Sequence, residues 1–195
     1  MQKYKNDYYI LVYCGATQYY EHSDDSGSIK QINEVQKVLN KELGMSCLQF
    51  TASESSKERQ MIIDDFQRGN SCQVLVSMKC LDEGVNIPKI RIAFILASST
   101  NPKEYIQRRG RVLRKAEGKD FAYIYDFITL PRDLHNVKNN EDIEFDNSLI
   151  KREVSRMTEF SKLSLNPYAT DKLIEELFSI YGAVVYNEEE EGYIL

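Results

Sequence analysis

The sequence predicts an α/β fold in which helices cover both faces of a parallel sheet. Short apolar segments rich in Val, Ile, Leu and Tyr alternate along the chain with amphipathic segments, which is typical of a parallel sheet with helical crossovers. Ligands of such sheets gather at the carboxyl ends of the strands, so the loops that follow the strands are the first place to search for a site. The predicted strands span residues 8–14, 46–50, 73–77, 90–96 and 121–126.

Two amphipathic segments between the first three predicted strands have clear helix ends. Residues 29–43 place apolar side chains on one face, and Gly44 follows them as a stop signal. Ser55 and Glu58 form the capping-box pattern at the start of the second segment, and Gly69 follows its end. These ends predict two helices that pack against the sheet.

The length and composition predict one globular domain with an extension. Of 195 residues, 42% are hydrophobic and 28% are charged, which is ordinary for a globular chain. No apolar run approaches the roughly 18 residues needed to cross a bilayer, and the first residues show no apolar signal segment. The four cysteines lack C-x-x-C spacing, so we expect core cysteines in a cytoplasmic protein without a membrane partner or a metal site.

Composition divides the chain into three parts. Residues 1–130 contain the alternating strands and helices, residues 131–147 are polar and acidic as in a linker, and residues 148–195 carry two amphipathic segments and an acidic tail. We therefore expect a sheet domain, an acidic linker and a C-terminal helical extension. The apolar face predicted for the first helix of the extension comprises Ile150, Val154 and Met157.

The most informative segment is an arginine-rich stretch at residues 105–114, which reads as a helix. Gln107, Arg111 and Arg114 have the spacing i, i+4 and i+7, so they share one helix face. Guanidinium groups fixed on one face are suited to clustered anionic oxygens, and a polyphosphate fits that description best.

The start of this helix and its glycine give further expectations. Asn101 is a favourable N-cap, and Pro102 suits the first helical position. Ile106 and Leu113 lie beside the arginine face, where we expect them to contact the core. Gly110 costs about 1 kcal/mol relative to alanine in a helix interior, which suggests close approach of another backbone or of a ligand.

The arginine helix and the segments before it resemble signature motifs of superfamily 2 helicases. Residues 107–114 contain Gln-x-x-Gly-Arg-x-x-Arg, which matches motif VI at each defined position. Residues 81–88, Leu-Asp-Glu-Gly-Val-Asn-Ile-Pro, match motif V of the XPB-like and type III restriction-subunit-like branch. Residues 9–15 resemble motif IV, and residues 50–52 resemble the short nucleic-acid-contacting element after the next strand.

Over about residues 8–127 the chain is therefore similar to the second RecA-like lobe of such a helicase. The resemblance implies an ATP-dependent helicase with ATP bound in the cleft between two lobes, the first of which would supply the phosphate loop and hold Mg²⁺. No G-x-x-x-x-G-K-[ST] segment occurs in this sequence. We therefore expect the chain alone to be inactive and to need the first lobe of the same parent protein.

The resemblance also implies roles for individual residues around ATP. Arg111 and Arg114 would contact the γ-phosphate as arginine fingers, with Arg114 the preferred finger, and Gln107 would orient them. The residues that would line the ATP site are Glu83, Gly84, Asn86 and Gly110.

Nucleic acid would bind at strand ends through backbone amides and hydroxyls, and the XPB-like motif V favours DNA over RNA. The implied contacts are Gly15, Ala16, Thr51, Ser77, Met78 and Lys79. Capping of the local backbone explains Thr51 and Ser77 equally well. Two residues depart from the branch: Met78 stands where many members have threonine, and Asn86 stands where aspartate is common.

Two other functions remain open from the sequence. A non-catalytic nucleotide-binding module would bind nucleotide without a second lobe, whereas the helicase interpretation implies weak binding by this chain alone. A nucleic-acid-binding scaffold would depend on Arg108 and Arg109 as much as on Arg111 and Arg114.

Overall fold

The computed structural model describes residues 1–15, 31–78, 86–97 and 101–182, together with the backbone of residues 18–19 and 29–30. The contacts separate two compact units, Met1–Phe127 and Ile128–Leu195. Each unit has its own apolar core.

A parallel sheet forms the centre of the first unit. In chain order the strands of the described residues are β1 (Ile10–Tyr13), β2 (Gln18–Tyr19), β3 (Ile29–Lys30), β4 (Cys47–Phe50), β5 (Val74–Ser77), β6 (Ile92–Ile95) and β7 (Tyr123–Asp126). Five of them form the sheet in the order β4-β5-β1-β6-β7, with each neighbouring pair parallel, and β2 pairs with β3 in the antiparallel sense. The predicted parallel α/β fold is confirmed, and the five predicted strands are present but somewhat shorter.

The α-helices described in the first unit are α1 (Gln31–Lys37), α2 (Ser56–Arg68) and α3 (Pro102–Val112), and a short 3₁₀ turn covers Gln2–Tyr4. The single helix predicted for residues 29–43 is wrong in detail. Its first two residues pair with β2 as a strand, and α1 continues as a π-helical segment, Val38–Glu42.

The capping box predicted for α2 is confirmed. The Glu58 N–H donates to Ser55 Oγ at 3.3 Å, and the Ser55 N–H donates to the Glu58 carboxylate at 2.8 Å. The helix ends at Gly69, which has a left-handed backbone conformation. Both ends of α2 are therefore set by local sequence signals.

Alternation of the β1 side chains explains why helices lie on both faces of the sheet. Val12 packs in one cluster with Ile32 and Leu39, which come from α1 and the π-helical segment. Tyr13 points to the opposite face because successive strand residues alternate. There the Arg108 guanidinium of α3 lies 5.2 Å from the centre of the Tyr13 ring.

Two helices, α4 (Asn140–Ser161) and α5 (Pro167–Tyr181), dominate the second unit, after a 3₁₀ turn at Leu134–Asn136. The predicted apolar face of the first helix of the extension is confirmed, since its three residues are buried in the core. That core comprises Ile150, Val154, Met157, Leu177 and Tyr181.

The acidic linker expected at residues 131–147 is wrong at its C-terminal end, because α4 begins at Asn140. The Asp142 N–H donates to Asn139 Oδ1 at 2.9 Å, which caps the helix. Acidic residues stabilise the first turn of a helix through its dipole. Glu141 and Asp142, which contributed to the linker-like composition, therefore belong to a helix start.

A buried carboxylate ties α4 to α5 and to the segment before α4. Asp146 is 1% exposed. The Arg132 guanidinium contacts both of its oxygens, at 3.0 and 2.8 Å, and the Tyr181 hydroxyl donates to it at 3.1 Å. Burial, followed by the hydrogen bond to Asp146, raises the pKa of Tyr181 to about 12. The carboxylate is tolerated in the interior because both oxygens have partners.

The cysteines of the described residues are buried and free. They are Cys14, Cys47 and Cys72. Burial raises the pKa of the Cys14 and Cys72 thiols to about 12, as expected of core residues, and Cys80 lies outside the described residues. Within that part of the chain, no group of three or more His, Cys, Asp or Glu residues comes together as a metal site, and no helix is long and apolar enough to cross a bilayer.

Replacement of Gly69 by alanine is expected to lower the free energy of unfolding by about 2–3 kcal/mol. The cost combines a left-handed backbone, φ +69°, with a Cβ atom 2.5 Å from the Tyr9 hydroxyl oxygen. Gly44→Ala is the matched control, because its φ is +64° but its Cβ would come no nearer than 3.9 Å to a Lys5 carbon. It should cost only about 1–2 kcal/mol. Urea denaturation measures both, and equal losses would contradict the steric contribution of Tyr9.

Candidate nucleotide-binding site

The start of α3 follows the sequence prediction. Asn101 Oδ1 accepts a hydrogen bond from the Lys103 N–H at 3.1 Å, and Pro102 occupies the first helical turn together with Glu104. The helix therefore begins at Pro102, directly after its N-cap. Residues 98–100 lie outside the described residues. This start is confirmed.

The face of α3 that packs on the sheet differs from the prediction. The buried side chains of the helix are Tyr105, Arg108, Arg109 and Val112. Ile106 and Leu113, which were expected to contact the core, are 41% and 39% exposed, so that expectation is wrong. The spacing i, i+3, i+4 and i+7 of the buried set is one helix face, and long arginine stems can cover apolar surface.

Arg108 anchors this face although it is charged. Its guanidinium donates to the Ala97 carbonyl oxygen at 3.4 Å and lies 3.8 Å from the Glu104 carboxylate. The Tyr13 ring lies below the same group, and a guanidinium is attracted to the face of an aromatic ring. These partners offset the cost of burying the charge, which leaves Arg108 4% exposed.

The other face of α3 carries the residues predicted to meet ATP. Gln107 and Gly110 are exposed and Arg111 is half-buried. Apart from its chain neighbours and the nearby backbone of α3, a Cβ atom built on Gly110 would have no described atom within 4 Å. The close backbone approach suggested for Gly110 is therefore absent from the described part of this chain, and its surface is open.

Arg114 lies beyond the end of the helix. The last residue of α3 is Val112 and Leu113 is the C-cap, so the helix-face alignment predicted for Arg114 is wrong in detail. Its exposed guanidinium donates instead to the side-chain oxygen of Asn86. The Asn86 carbonyl oxygen in turn accepts from the Gln67 side chain at 3.2 Å. The structure thus brings together two residues that the sequence assigned to one site from segments 28 positions apart.

Lys119 is a neighbour of this site that the sequence reasoning missed. Its ammonium donates to three carbonyl oxygens, those of Pro88 at 3.0 Å, Val112 at 2.6 Å and Arg114 at 2.8 Å. Burial, with the nearby Arg91 guanidinium as a second cause, lowers the pKa of Lys119 to about 8. The available sequence signal was a lysine shortly after a helix end, where carbonyl groups lack helical partners.

The candidate nucleic-acid contacts at the strand ends are held by local bonds. The Gly15 N–H donates to Gln31 Oε1 at 2.5 Å. The Thr51 N–H and hydroxyl both donate to the Glu54 carboxylate, at 2.6 and 2.9 Å, and Thr51 is 8% exposed. A Glu54 carboxylate thus occupies the donors that were expected to face a phosphate.

Two further candidates, Ser77 and Met78, lie at the end of β5. Ser77 is fully buried, and its hydroxyl has no hydrogen-bond partner among the described residues. Met78 is partly buried against the apolar core. Four of the predicted site residues, Ala16, Lys79, Glu83 and Gly84, lie outside the described residues.

Comparison with known proteins identifies the family. The family "Helicase conserved C-terminal domain" matches residues 5–116, more than half of the chain. The chain belongs to this helicase C-terminal domain family. Its sheet with helices on both faces is the second RecA-like lobe of a superfamily 2 helicase, as the motifs predicted.

Curated relatives agree at moderate identity over part of their length. The chain is 33% identical over 79 residues to "Putative helicase 22" of Sulfolobus islandicus filamentous virus (isolate Iceland/Hveragerdi), a match that covers 40% of this chain and 14% of that protein. It is 31% identical over 72 residues to the DNA 3'-5' translocase XPB2 of Sulfurisphaera tokodaii, covering 37% and 16%. The matches therefore span about a seventh of the length of these relatives.

Solved structures agree with the fold. The C-terminal part of the Fun30 ATPase domain gives a TM-score of 0.53 at 18% identity, covering 93% of this chain and 50% of that chain. The C-terminal domain of the DEAD-box protein Dbp5 gives a TM-score of 0.51 at 17% identity, covering 88% and 83%. At this identity the likeness supports the fold.

Arg108→Met is expected to lower the free energy of unfolding by about 1–3 kcal/mol. The methionine keeps much of the apolar stem, but the interactions of the guanidinium with Ala97, Glu104 and Tyr13 are lost. Arg114→Met removes an exposed guanidinium that donates to Asn86 within the described part of the chain, and it should cost about 1 kcal/mol or less. Chemical denaturation of the two variants compares them directly. Equal losses would contradict the assignment of Arg108 to an anchoring role.

Proposed function

We propose that this chain is the second lobe of an ATP-dependent DNA helicase or translocase, in which Arg111 and Arg114 act as arginine fingers on ATP bound between two lobes. The observation that carries the proposal is the division of the arginines in motif VI. Arg108 and Arg109 are buried against the sheet, whereas Arg114 is exposed and Arg111 is half-buried. The fold therefore buries one pair against the sheet and places the other pair at the surface.

The surface that carries Arg111 and Arg114 fits a polyphosphate. Guanidinium groups bind phosphate oxygens through charge-assisted hydrogen bonds, and the open surface at Gly110 leaves room for a ligand beside them. Gln107 would orient Arg111 and Arg114 by hydrogen bonds. Asn86, with Glu83 and Gly84, would line the same cleft.

The chemistry belongs to the phosphoryl group of bound ATP, which spreads negative charge over its oxygens during transfer to water. Arg111 and Arg114 would stabilise that charge because their guanidinium groups are held in place before the reaction. The first lobe would supply the phosphate loop and hold Mg²⁺. For this reason we expect the present chain alone to have no ATPase activity.

Coupling to movement would follow from the exposed position of the arginines. Closure of the cleft would bring the first lobe against the exposed face of α3, and opening would release it. Nucleic acid held at the strand ends would shift with each closure. The backbone there would contact phosphates without reading the bases. The residues proposed for these contacts are Gly15, Ala16, Thr51, Ser77, Met78 and Lys79.

DNA is the favoured nucleic acid, because the relative XPB2 is named as a DNA translocase and the motif V sequence is of that type. The buried free cysteines are compatible with a reducing compartment, and we propose the cytoplasm as the location. A scaffold that binds nucleic acid through a continuous basic helix is less well supported, because Arg108 and Arg109 are 4% and 7% exposed.

Arg114→Ala is expected to lower nucleic-acid-stimulated ATP turnover about 10³-fold or more in a two-lobe protein that contains this chain. Arg114→Lys should recover little of the rate, because a lysine keeps the charge but lacks the planar fork of donors. Lys115→Ala is the matched control, because it removes a cation from the neighbouring exposed position. Steady-state ATPase assays of folded variants provide the measurement.

Unchanged turnover in Arg114→Ala would assign the finger to Arg111, provided that Arg111→Ala is inactive. Full activity in both variants would refute the arginine-finger proposal. Tight nucleotide binding by this chain alone, measured by calorimetry, would favour the alternative of a non-catalytic binding module.

Glu54→Ala is expected to strengthen binding of single-stranded DNA to this chain several-fold at low salt. The change frees the Thr51 N–H and leaves the Thr51 hydroxyl with Ser53 as its neighbour, and it removes a negative charge beside the proposed phosphate path. The gain should shrink as salt screens the phosphates. Asp64→Ala, which makes the same charge change on the exposed face of α2, is the control. Fluorescence anisotropy measures both variants, and equal effects would argue against a strand contact at Thr51.

A further inference from the structure

The Lys119 ammonium is saturated by main-chain carbonyl groups. It offers three donors, and carbonyl oxygens of Pro88, Val112 and Arg114 accept them at 2.6–3.0 Å. The turn that carries Lys119 is itself held, since the Arg91 guanidinium donates to the Gly118 carbonyl oxygen at 2.9 Å. The Lys119 ammonium is therefore held in one position by the main chain, and it has no donor left for a ligand.

The three carbonyl groups come from both sides of the contact between Arg114 and Asn86. Val112 ends α3 and Arg114 follows it by two residues, so two of the bonds fix the backbone that carries the finger. Pro88 follows Asn86 by two residues, so the third bond fixes the backbone that carries its partner. One ammonium therefore ties together the two chain segments that Arg114 and Asn86 join through their side chains.

Capping of α3 does not explain the whole arrangement. A lysine near a helix C-terminus can satisfy the carbonyl groups there, which accounts for Val112 at the end of α3 and for Arg114 just beyond it. The Pro88 carbonyl lies 31 residues away in sequence and belongs to another loop. The hydrogen bond from Lys119 Nζ to the Pro88 carbonyl oxygen sets the distance between two loops. Capping of α3 does not require such a bond.

We propose that Lys119 is a positioning residue for the arginine finger, which holds Arg114 and Asn86 in register through their main chains. The inference rests on the proposed function for the identity of Arg114 as the finger. The role concerns placement alone, because the Lys119 ammonium has no donor left to contact phosphate. Loss of Lys119 is expected to make the backbone of residues 113–114 more mobile, while Arg114 and Asn86 themselves remain in the site.

The first test uses this chain alone and compares Lys119→Met with Lys115→Met. Both variants keep most of the lysine stem and lose one positive charge, but Lys115 is exposed and has no part in the three-carbonyl arrangement. NMR of arginine side-chain nitrogens follows Arg114, whose signals are assigned by their loss in Arg114→Lys. In Lys119→Met these signals should move to the averaged values of a freely rotating arginine, and in Lys115→Met they should not. Unchanged Arg114 signals in a folded Lys119→Met protein would overturn the proposal.

The second test measures ATP turnover in the two-lobe protein. Misplacement of a catalytic group by about 1 Å can cost up to a hundredfold in rate, so Lys119→Met should lower kcat at least about tenfold. KM for ATP should change less than about twofold, because the arginines act mainly on the transition state. A rise in KM with normal kcat would overturn the positioning role. Full turnover in both Arg114→Ala and Arg111→Ala would instead refute the proposed function, and the NMR comparison would still decide whether Lys119 holds Arg114 in place.

Lys119→Arg provides an answer if the methionine variant does not fold. A guanidinium keeps the charge but presents its donors in a plane, so it cannot converge on three carbonyl groups in the way an ammonium does. The expected result is a folded protein. Its Arg114 signals and its kcat should lie between the wild-type values and the values expected for Lys119→Met. Wild-type values for both would show that charge alone suffices and would overturn the proposal.

Discussion

The Arg108 guanidinium lies over the Tyr13 ring at 5.2 Å, and the orientation of α3 depends on this contact. Tyr13 belongs to β1, the central strand, whose four side chains are at most 1% exposed. A ring in that position cannot move without disturbing the close-packed core around it. Because Arg108 is fixed to an immobile partner, one face of α3 is committed to the sheet. The opposite face, with Gln107 and Arg111, is thereby directed away from it.

The arginines of motif VI show how one residue type serves two purposes within a few positions. A buried guanidinium is tolerated where other partners replace water, and Arg108 has a carbonyl acceptor, a nearby carboxylate and an aromatic face. Among the described residues, Arg114 donates to the Asn86 side chain, and it remains exposed. Its exposed position makes it suited to an external anion, whereas Arg108 is committed to the fold. The number of charges along the sequence does not distinguish an anchoring arginine from a ligand-binding arginine. The surroundings of each guanidinium in the fold distinguish them.

Local signals were readable from the sequence, and contacts between distant segments were not. The capping box at Ser55, the N-cap at Asn101 and the apolar strands depend on neighbouring residues, and each appears as predicted. The core contact expected for Ile106 was wrong because hydrophobicity alone favoured it over an arginine whose partners lie on other elements. The role of Lys119 was not predicted because it also depends on a distant segment: its bond to the Pro88 carbonyl joins two loops. The roles of Arg111 and Arg114 in catalysis stay predictions.

The asparagine at position 86 bears on how Arg114 would reach a phosphate. A guanidinium that donates to an ionised carboxylate gains the attraction between opposite charges in addition to the hydrogen bond. An aspartate, which is common at this place in the resembling branch, would hold the guanidinium by an ion pair. The neutral amide oxygen of Asn86 orients Arg114 with a weaker bond. In the proposed function, Arg114 exchanges this acceptor for phosphate oxygens at a smaller cost, while Lys119 keeps the backbone of both residues in place.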